Sequence, residues 1–407
     1  MPSYDCDVAV IGAGPAGSRT ARDLARRGLR VLLIEEHRRV GVPSHCSGLI
    51  SPRTWQLGEI ADDSIIYNQL RGAFLHTASG KQVALGSETV RAVAIDRIKW
   101  DQLLAEQAYA AGAQPVQARF IHAERDNGGF TLHCQRNGQE LGFTARLLIG
   151  ADGSHSRVAR SQGLAWPSDR VYALGVEGSL EVPREDYVHV FVGQKLAPGW
   201  FGWIIPVGGG QVRAGIGCYG WDKPLHCYQR MLGAFPQVFA GIKPSRMYGG
   251  PIPTSFAPRS FADSLLLVGD AAGQVKPFSG GGIYTSLVAA RLCAETAAAA
   301  LERNDLSASF LSRYEKAWMR AIGRELRRSL GIRRFGLSLS DADVDRLVGL
   351  LRSPRLQAIA ARHGDIDYPS RSLLRISRAL PALGPLLGIS ARRPLLSLQL
   401  LRAALFG

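Results

Sequence analysis

A histidine and a cysteine stand side by side in the stretch GVPSHCSG, residues 41–48. A cysteine beside a histidine can serve as a nucleophile, a metal ligand or a redox centre. The other five cysteines are scattered and form no C-x-x-C pair, so we predict no metal site and no dithiol centre. Nothing else in the sequence indicates acyl or peptide chemistry. The role of Cys46 therefore depends on which elements surround it.

A glycine pattern near the N-terminus predicts a dinucleotide site, in DVAVIGAGPAGSRTARDLARRGLRVLLIEE. Gly12, Gly14 and Gly17 follow an apolar strand and open a helix, and Glu35 ends the next predicted strand. These glycines allow a tight turn, close approach to a pyrophosphate, and packing of the helix on the strand. The helix N-terminus favours negative charge, and Glu35 can accept hydrogen bonds from a ribose. This motif alone does not separate FAD from NAD.

A second glycine-rich stretch, SLLLVGDAAGQVKPFSGGGIYTSLVAARL, favours a flavin. Asp270 ends a predicted strand, where its carboxylate can bind a sugar or polyol hydroxyl. Gly280, Gly281 and Gly282 precede a predicted helix, so backbone N–H groups can approach a ligand where negative charge is favoured. A reduced flavin carries negative charge at its N1/C2 carbonyl edge. The stretch therefore suits an isoalloxazine better than a nicotinamide.

Two further segments lie between these motifs. One is a predicted strand that ends at Asp152. The other is a predicted helix preceded by Arg97, with apolar residues at helical spacing. Taken alone, the second segment also fits a plain amphipathic helix with a solvated arginine.

The order of these motifs resembles the FAD-dependent oxidoreductases of the aromatic-hydroxylase architecture. Within that group, the segments VGVPSHCSGLIS, GWFGWIIPVGGGQVRAGIG and GDAAGQVKPFSGGGI are most similar to the geranylgeranyl reductase family, over about residues 5–330. The resemblance implies FAD as cofactor. It implies as cofactor-binding residues Gly12, Gly14, Pro15, Ala16, Gly17, Glu35, Cys46, Ser47, Gly48, Arg97, Asp152, Asp270, Pro277, Gly280, Gly281, Gly282 and Ile283. It implies as substrate-binding residues Phe201, Trp203, Pro206 and Tyr219.

The same resemblance gives Cys46 a catalytic role, because the matching loop of the family lies between the flavin and the substrate cavity. We expect Cys46 to line the reacting face near N5, as a proton donor or a gate, directly or through water. For His45, a plain loop residue is the preferred interpretation and an acid the alternative. The family usually has YxWxFP where this chain has Phe201 and Ile205, which leaves the headgroup and shape of the substrate open.

The segments that position these residues predict an α/β fold. We expect a Rossmann-like FAD-binding domain from residues 1–65, 93–164 and 261–330, interrupted by a substrate domain from residues 66–92 and 165–260. The alternation of aromatic and β-branched residues in the substrate domain favours a mixed or antiparallel sheet. Its aromatic residues line an apolar tunnel or simply fill a sheet core: Trp200, Phe201, Trp203, Tyr219 and Trp221. Residues 331–407 are predicted to form a helical, basic region.

The net charge of +15 indicates an anionic partner. No nucleic-acid module is recognisable, so a lipid surface ranks above nucleic acid. From about residue 320 the chain combines apolar residues with many arginines: Arg320, Arg324, Arg327, Arg328, Arg333, Arg334, Arg371, Arg375, Arg378, Arg392, Arg393 and Arg402. This pattern suits helices lying on a membrane surface, or else an ordinary helical cap. Without a signal peptide or a transmembrane run in the sequence, we expect a cytoplasmic protein that is peripheral on the membrane.

Three functions fit these observations. The first is an FAD-dependent reductase that saturates C=C bonds of a prenyl chain on a lipid, chlorophyll precursor or quinone, by hydride transfer from flavin N5. The second is a flavin-dependent monooxygenase or halogenase, for which Lys81 is the obvious lysine but lies in a hairpin-like stretch. The third is a flavoprotein that only passes electrons to a membrane quinone. The electron donor is expected to be NAD(P)H or a ferredoxin-like protein.

Overall fold

The structure alternates strands and helices and ends in a helical region; it is a computed structural model that describes residues 4–126, 128–165, 167–220 and 222–379. Among these residues it has eighteen strands: β1 Cys6–Ile11, β2 Val31–Glu35, β3 Leu49–Ile50, β4 Ile66–Leu70, β5 Gly72–Thr77, β6 Gln82–Gly86, β7 Ala92–Ile95, β8 Gln114–Gln117, β9 Arg119–Asp126, β10 Gly129–Arg136, β11 Gln139–Gly150, β12 Arg170–Ser179, β13 Tyr187–Val192, β14 Phe201–Gly208, β15 Gln211–Cys218, β16 Lys243–Pro253, β17 Phe261–Ala262 and β18 Leu265–Leu267.

The same ranges contain eleven α-helices: α1 Pro15–Ala25, α2 Pro52–Gly58, α3 Arg97–Ala110, α4 Arg157–Ser161, α5 Pro224–Ala234, α6 Ile283–Glu302, α7 Ala308–Trp318, α8 Arg324–Ser338, α9 Asp341–Leu350, α10 Pro354–His363 and α11 Pro369–Ala379. A π-helical turn, Met319–Gly323, joins α7 to α8. No helix in these ranges has both the length and the apolar character needed to cross a membrane.

The largest sheet runs β17-β18-β11-β1-β2-β8, and β10 and β9 continue from β11 as an antiparallel hairpin. Its central strands β18, β11, β1, β2 and β8 are parallel. One face packs on α1, α6 and α7, where buried alanines of α6 such as Ala290 and Ala294 let the helices approach closely. The carboxyl ends of β1, β2, β11 and β18 therefore meet at one edge, where ligands bind in such sheets.

The second sheet has seven strands in the order β16-β12-β15-β14-β13-β5-β6. All neighbours are antiparallel except β13 and β5, so the sheet is mixed, as the sequence predicts. Helix α5 covers one face through Cys227, Tyr228 and Met231. The opposite face packs on the short sheet β3-β7-β4, where Ile205 meets Leu70 and Ala94.

The expected α/β fold with an FAD-type parallel sheet, a mixed sheet and a helical C-terminal region is confirmed. The division into discontinuous domains stays a prediction. Trp221, Arg392, Arg393 and Arg402 lie outside the described residues.

Candidate functional site

The turn between β1 and α1 is packed so tightly that two of its positions require glycine. Gly12 has a φ of +100°, and a Cβ on Gly12 would lie 2.5 Å from the carbonyl oxygen of Ala151. A Cβ on Gly17 would lie 1.8 Å from the carbonyl oxygen of Gly12. Because these neighbours are backbone atoms, they cannot move aside. The turn is thus fixed against the end of β11, beside Asp152.

Gly14 has a different environment from its two neighbours in the motif. A Cβ there would meet nothing within 4 Å, and Gly14 is the N-cap of α1 without a side-chain cap. Pro15 and Ala16 form the first turn of this helix. Amides that open into free space at a helix N-terminus form a cradle for an anion, which fits a pyrophosphate.

Glu35 reaches this turn from the end of β2. Its Oε2 accepts a hydrogen bond from the Ala13 amide at 2.8 Å, and its Oε1 accepts one from the His37 amide at 3.0 Å. A carboxylate has about four lone-pair sites, so Glu35 can also accept from a ribose. The residues that the sequence predicts for the nucleotide end of the site therefore lie together within residues 12–35.

Asp152 has a local structural task. Its two carboxylate oxygens accept hydrogen bonds from the Ser156 hydroxyl at 2.6 Å and the Val158 amide at 3.0 Å, at the start of α4. Burial raises the pKa of this carboxyl, although these hydrogen bonds oppose the shift. Asp152 thus lies beside Gly12 but fixes α4, and its predicted cofactor role stays a prediction.

The loop from Lys276 to Gly282 presents backbone at the start of α6. The Gly280 amide donates to the Lys276 carbonyl at 2.9 Å, and the Lys276 amide donates to the Gly281 carbonyl at 3.3 Å, which closes the loop on itself. Gly282 is the N-cap of α6. It has no side chain to cap the helix, so no N-cap side chain accepts a hydrogen bond from the first amides of α6, which begin with Ile283. Pro277 lies buried in the same loop. This backbone fits a ligand edge that carries negative charge.

Asp270 stands between this loop and the large sheet. Its Oδ1 lies 3.2 Å from the position that a Cβ on Gly282 would occupy. Burial raises the pKa of the Asp270 carboxyl, although Arg97 nearby lowers it. Asp270 therefore faces the same space as the loop and Arg97, as expected for a group that binds a polyol.

Arg97 is the first residue of α3 and is not the solvated arginine of the alternative interpretation. Its guanidinium forms a bidentate ion pair with Asp101 at 2.9 and 2.8 Å, and the Arg97 side chain is only 15% exposed. Burial lowers its pKa, but the attraction of Asp101 and of the Cys46 thiol outweighs this and holds the pKa above the usual range. Arg97 thus joins the Cys46 loop to the Asp270 region.

Cys46 is a free, half-buried cysteine whose Sγ accepts a hydrogen bond from the Gly48 amide at 3.4 Å. Its thiol also contacts the Arg97 guanidinium. His45 beside it is exposed. Cys46, Ser47 and Gly48 therefore lie together next to Arg97, where the sequence places the flavin end of the site.

Two arginines of the mixed sheet hold the Cys46 loop, and sequence reasoning missed both. Arg213 of β15 donates to the Ser47 carbonyl at 2.9 Å and to the Ile95 carbonyl at 2.8 Å. Arg246 of β16 donates to the Ser44 carbonyl at 2.9 Å. A Cβ on Gly48 would lie 2.5 Å from the Arg213 guanidinium, so this close contact depends on glycine. An arginine inside the otherwise apolar strand QVRAGIG was the available signal.

Glu177 and Tyr248 complete this polar group on the same face of the sheet. Glu177 pairs with Arg213 at 3.2 Å and lies 3.8 Å from Arg246. The Tyr248 ring lies over Gly175, and within the described ranges its buried hydroxyl has no hydrogen-bond partner. Burial raises the Tyr248 pKa, and the nearby Cys46 adds to the increase. Sequence alone could not group these residues, because their proximity follows from strand register.

The aromatic residues of β14 form an apolar wall beside the same loop. Trp203 and Ile205 belong to a cluster with Leu49, next to the Cys46 loop. A Cβ on Gly215 would lie 2.4 Å from the Trp203 ring, so this glycine lets the indole lie flat on the sheet. Phe201 alternates onto the same face as Trp203.

Trp200 connects this wall to the flavin-end loop. A Cβ on Gly280 would lie 3.1 Å from its ring, and the ring stacks on Phe201 with centroids 5.1 Å apart. The wall and the loop therefore border one space.

Of the other predicted substrate residues, Pro206 lies on the opposite face of the sheet, whereas Tyr219 lies near Trp200, with the Arg333 guanidinium over both rings at 4.9 and 5.3 Å. Pro206 pairs with Val212, whose side chain belongs to the cluster under α5, so the structure does not bring Pro206 together with Trp203. Tyr219 is 38% exposed, and its hydroxyl donates to Asp169 at 3.0 Å. Lys81, the lysine of the halogenase alternative, is exposed between β5 and β6.

A histidine pair on the β9–β10 hairpin is a separate cluster. His122 and His133 stack with ring centroids 4.3 Å apart and an interplanar angle of 6°, next to Glu124. A metal ion needs in-plane lone pairs that converge at about 2.0–2.1 Å. Parallel rings do not provide this without reorienting, so we assign no metal site here.

Comparison with known proteins agrees with this geometry. Residues 5–326 match the family model described as FAD binding domain. A digeranylgeranylglycerophospholipid reductase from Methanothrix thermoacetophila is 31% identical over 86% of this chain and 92% of its own length. The crystal structure of a geranylgeranyl bacteriochlorophyll reductase-like protein from Thermoplasma acidophilum has a TM-score of 0.83 at 26% identity, covering 98% of this chain and 99% of that one.

A flavin-dependent brominase shares the fold at lower similarity. Its TM-score is 0.70 at 15% identity, and the match covers 96% of this chain and 98% of the brominase. At this identity the match reports the architecture alone.

Proposed function

The chain belongs to the FAD-binding domain family and, within it, to the geranylgeranyl reductases, and from that membership we propose that it saturates C=C bonds of a prenyl chain. It is an FAD-dependent oxidoreductase. When bound, reduced FAD supplies the hydride from N5 to one alkene carbon, and a proton reaches the other carbon. The observation that carries the proposal is the meeting of the Cys46 loop, the Gly280–Gly282 turn and the Trp203 wall around one space.

The residues of this chain supply binding, orientation and the exclusion of water. The turn at Gly12–Gly17 and Glu35 would hold the nucleotide half, and Asp270, Arg97 and the Pro277–Ile283 loop would hold the ribityl and flavin parts. An isolated alkene is a poor hydride acceptor, so exact placement and a dry cavity matter. The aromatic wall helps to place the alkene and to keep the cavity dry.

Cys46 is proposed to line the reacting face and to pass a proton to the alkene, directly or through water. Its contact with Arg97 and the anchoring of its loop by Arg213 and Arg246 support a fixed position for the thiol. His45 is exposed, which favours a plain loop residue over an acid.

We propose that the substrate is a prenylated lipid and that the protein meets it at a membrane surface. The names of the relatives above and the apolar wall support a prenylated lipid as the substrate. A cavity of about 430 Å³ between α8 and α11 supports contact with a membrane surface. Five arginines line it: Arg320, Arg324, Arg327, Arg328 and Arg371.

The one carboxylate in this cavity, Glu325, already accepts hydrogen bonds from Ser329 and Ser370. Burial lowers the pKa of Arg328, and the neighbouring charges of Arg324, Arg371 and Arg378 lower it further. Such a concentration of positive charge suits anionic headgroups, each basic residue contributing about 1 kcal/mol near the surface. Flotation with anionic vesicles is expected at low salt and is expected to weaken at high salt. Failure to float at low salt would remove this part of the proposal.

The electron donor is proposed to be NAD(P)H bound transiently or an acidic ferredoxin-like protein. The sequence carries one dinucleotide fingerprint, and the net charge of +15 favours an acidic partner. Anaerobic mixing with each donor, followed by flavin absorbance, identifies the one that reduces the protein.

The experiment that tests the reaction is a single anaerobic turnover. The purified protein is reduced with dithionite, and a geranylgeranyl lipid is added without oxygen. Reoxidation of the flavin together with a lipid mass gain of two hydrogens is expected. Reoxidation only with oxygen, giving a hydroxylated or halogenated product, would contradict the proposal and support the monooxygenase or halogenase alternative.

A further inference from the structure

Lys276 is a buried lysine at the start of the loop that precedes α6. Only 4% of the residue is exposed. Taking an ammonium group out of water costs several kcal/mol unless other charges and hydrogen bonds compensate for the loss. A lysine in this position therefore needs specific partners, and neither the cofactor motif nor the proposed proton transfer uses it.

The partners of Lys276 come from the C-terminal region. Its Nζ donates to the Ile366 carbonyl at 2.6 Å and lies 3.6 Å from Oδ1 of Asp367, which is only 2% exposed. Burial lowers the pKa of Lys276, while Asp367 and Glu325 raise it. On balance the pKa of Lys276 lies below its usual value, and the carboxylate and the carbonyl counteract the effect of burial by stabilising the ammonium group. Lys276 and Asp367 thus form an ion pair inside the protein, and Asp367 also pairs with Arg53 at 3.3 Å.

The segment that provides these partners, Asp365–Tyr368, is anchored at three places. Asp365 pairs with Arg53 at 3.2 Å, Ile366 joins the apolar cluster of Trp203, and the hydroxyls of Tyr368 and Tyr284 lie 2.8 Å apart. Asp367 also accepts a hydrogen bond from Ser51, two residues after β3 begins. Four consecutive residues thus tie the lysine to α2, α6 and the aromatic wall.

The Lys276 side chain fills the space directly behind Gly281. A Cβ on Gly281 would lie 2.8 Å from Cε and 2.9 Å from Nζ of Lys276. The ammonium group therefore lies directly against the backbone of the Gly280–Gly282 turn. In the described part of the chain, Ile366 and Asp367 are the only partners of Nζ at hydrogen-bond or ion-pair distance. Because Nζ lies closer to the turn than the Asp367 carboxylate does, the pair presents its positive end to the turn, in a medium that screens the field weakly.

We propose that Lys276 places a fixed positive charge behind the turn that holds the pyrimidine edge of the flavin, and that Asp367 positions this charge. The proposal rests on FAD binding at this turn. A reduced flavin gains negative charge at its N1/C2 edge, so a nearby cation stabilises the reduced form over the oxidised form. Lys276 thus acts electrostatically on the reductive step, in which the electron donor reduces the flavin.

The test is the midpoint potential of the FAD-bound protein, measured by dye-coupled titration at pH 7 in the absence of any prenyl lipid. In Lys276→Met, the ratio of reduced to oxidised flavin at a fixed potential is expected to fall about tenfold, equivalent to a shift of about −30 mV for two electrons. The exposed lysine of α7 provides a matched control, and Lys316→Met is expected to leave the ratio unchanged. Flavin reduction by the donor is expected to slow in the same proportion.

Lys276→Met leaves the buried Asp367 with Arg53, at 3.3 Å, as its remaining cation, so the single variant has a folding risk. The double variant Lys276→Met/Asp367→Leu removes the pair together and protects the fold. Because Lys276 is closer to the turn than Asp367, the double variant is expected to show a smaller shift of the same sign. An unchanged potential in whichever variant binds FAD would overturn the proposal. Since no prenyl lipid enters this titration, a failure of alkene reduction leaves its result intact.

Discussion

The nucleotide end of the FAD site comes from one continuous unit, β1–α1–β2, whereas the flavin end is assembled from segments far apart in the chain. The first end needs only a turn in which Gly12 and Gly17 meet backbone atoms. The second needs Arg97, the Cys46 loop, the Gly280–Gly282 turn and Asp365–Tyr368 to meet. Local sterics thus determine one end, and long-range ion pairs and hydrogen bonds determine the other.

The largest effect is expected at the nucleotide end. Gly17→Val would place a side chain 1.8 Å from the Gly12 carbonyl oxygen, and neither backbone can yield. We expect a loss of stability above about 4 kcal/mol, seen as little folded protein and a lowered thermal midpoint. Gly14→Ala is the matched control, because its Cβ meets no protein atom within 4 Å. It is expected to fold normally and to bind FAD more weakly, and a normal thermal midpoint for Gly17→Val would refute the steric argument.

A loss of about 3–5 kcal/mol is expected for Asp101→Ala at the flavin end, because it leaves Arg97 buried without its counter-charge. Denaturant unfolding of the FAD-free protein measures this loss. Arg97→Met/Asp101→Leu, which removes both charges, is expected to be much closer to the wild-type stability and to bind FAD poorly. If the single and double variants were equally stable, the Arg97–Asp101 ion pair would not be what stabilises the flavin end of the site.

A smaller and local effect is expected for Arg213→Met. It removes the hydrogen bonds to the Ser47 and Ile95 carbonyls, and we expect the free energy of local opening of the loop to fall by about 1.4 kcal/mol. Amides of residues 44–48 are expected to exchange with deuterium roughly tenfold faster, while those of residues 12–17 stay unchanged. Arg246→Met is the control, because it loses only the hydrogen bond to Ser44 and is expected to accelerate exchange of the same amides less than Arg213→Met does. Equal acceleration in both segments would show that the two ends are not independent.

The smallest effect on stability, below about 1 kcal/mol, is expected for Cys46→Ala, because the thiol is half-buried. FAD should remain bound, and the rate or the product pattern of alkene reduction should change. Cys46→Ser retains a polar group that can carry a proton. Its rate of alkene reduction is expected to lie between those of the wild type and Cys46→Ala. Unchanged activity and products in Cys46→Ala would reduce Cys46 to a packing residue.

The sequence predicted the parts that depend on short-range rules. The strand, glycine turn, helix and acid around residues 8–35 appear as expected. The FAD cofactor and the prenyl reductase family are likewise confirmed. The strand, turn and helix follow from glycine geometry and apolar periodicity, whereas the reductase family followed from the resemblance of three segments of the sequence to that family.

The sequence did not reveal contacts that depend on register or on distant pairing. Arg213 and Arg246 reach the Cys46 loop only because β12 pairs with both β15 and β16. Taken alone, the segment at Arg97 favoured a solvated arginine, and the burial of Arg97 becomes visible only when Asp101 and Cys46 are placed around it. The residues Asp365–Tyr368 carry no motif, so their role follows from the fold alone.

The position of Asp365–Tyr368 in the chain has a consequence for the order of assembly during synthesis. Lys276 and the Ile366 carbonyl that binds it are 90 residues apart, so the FAD-binding unit emerges from the ribosome well before the lysine can be neutralised. Until the C-terminal segment docks, an unpaired cation remains beneath the flavin turn. A chain truncated before Asp365 is therefore expected to be cleaved faster by proteases at this loop.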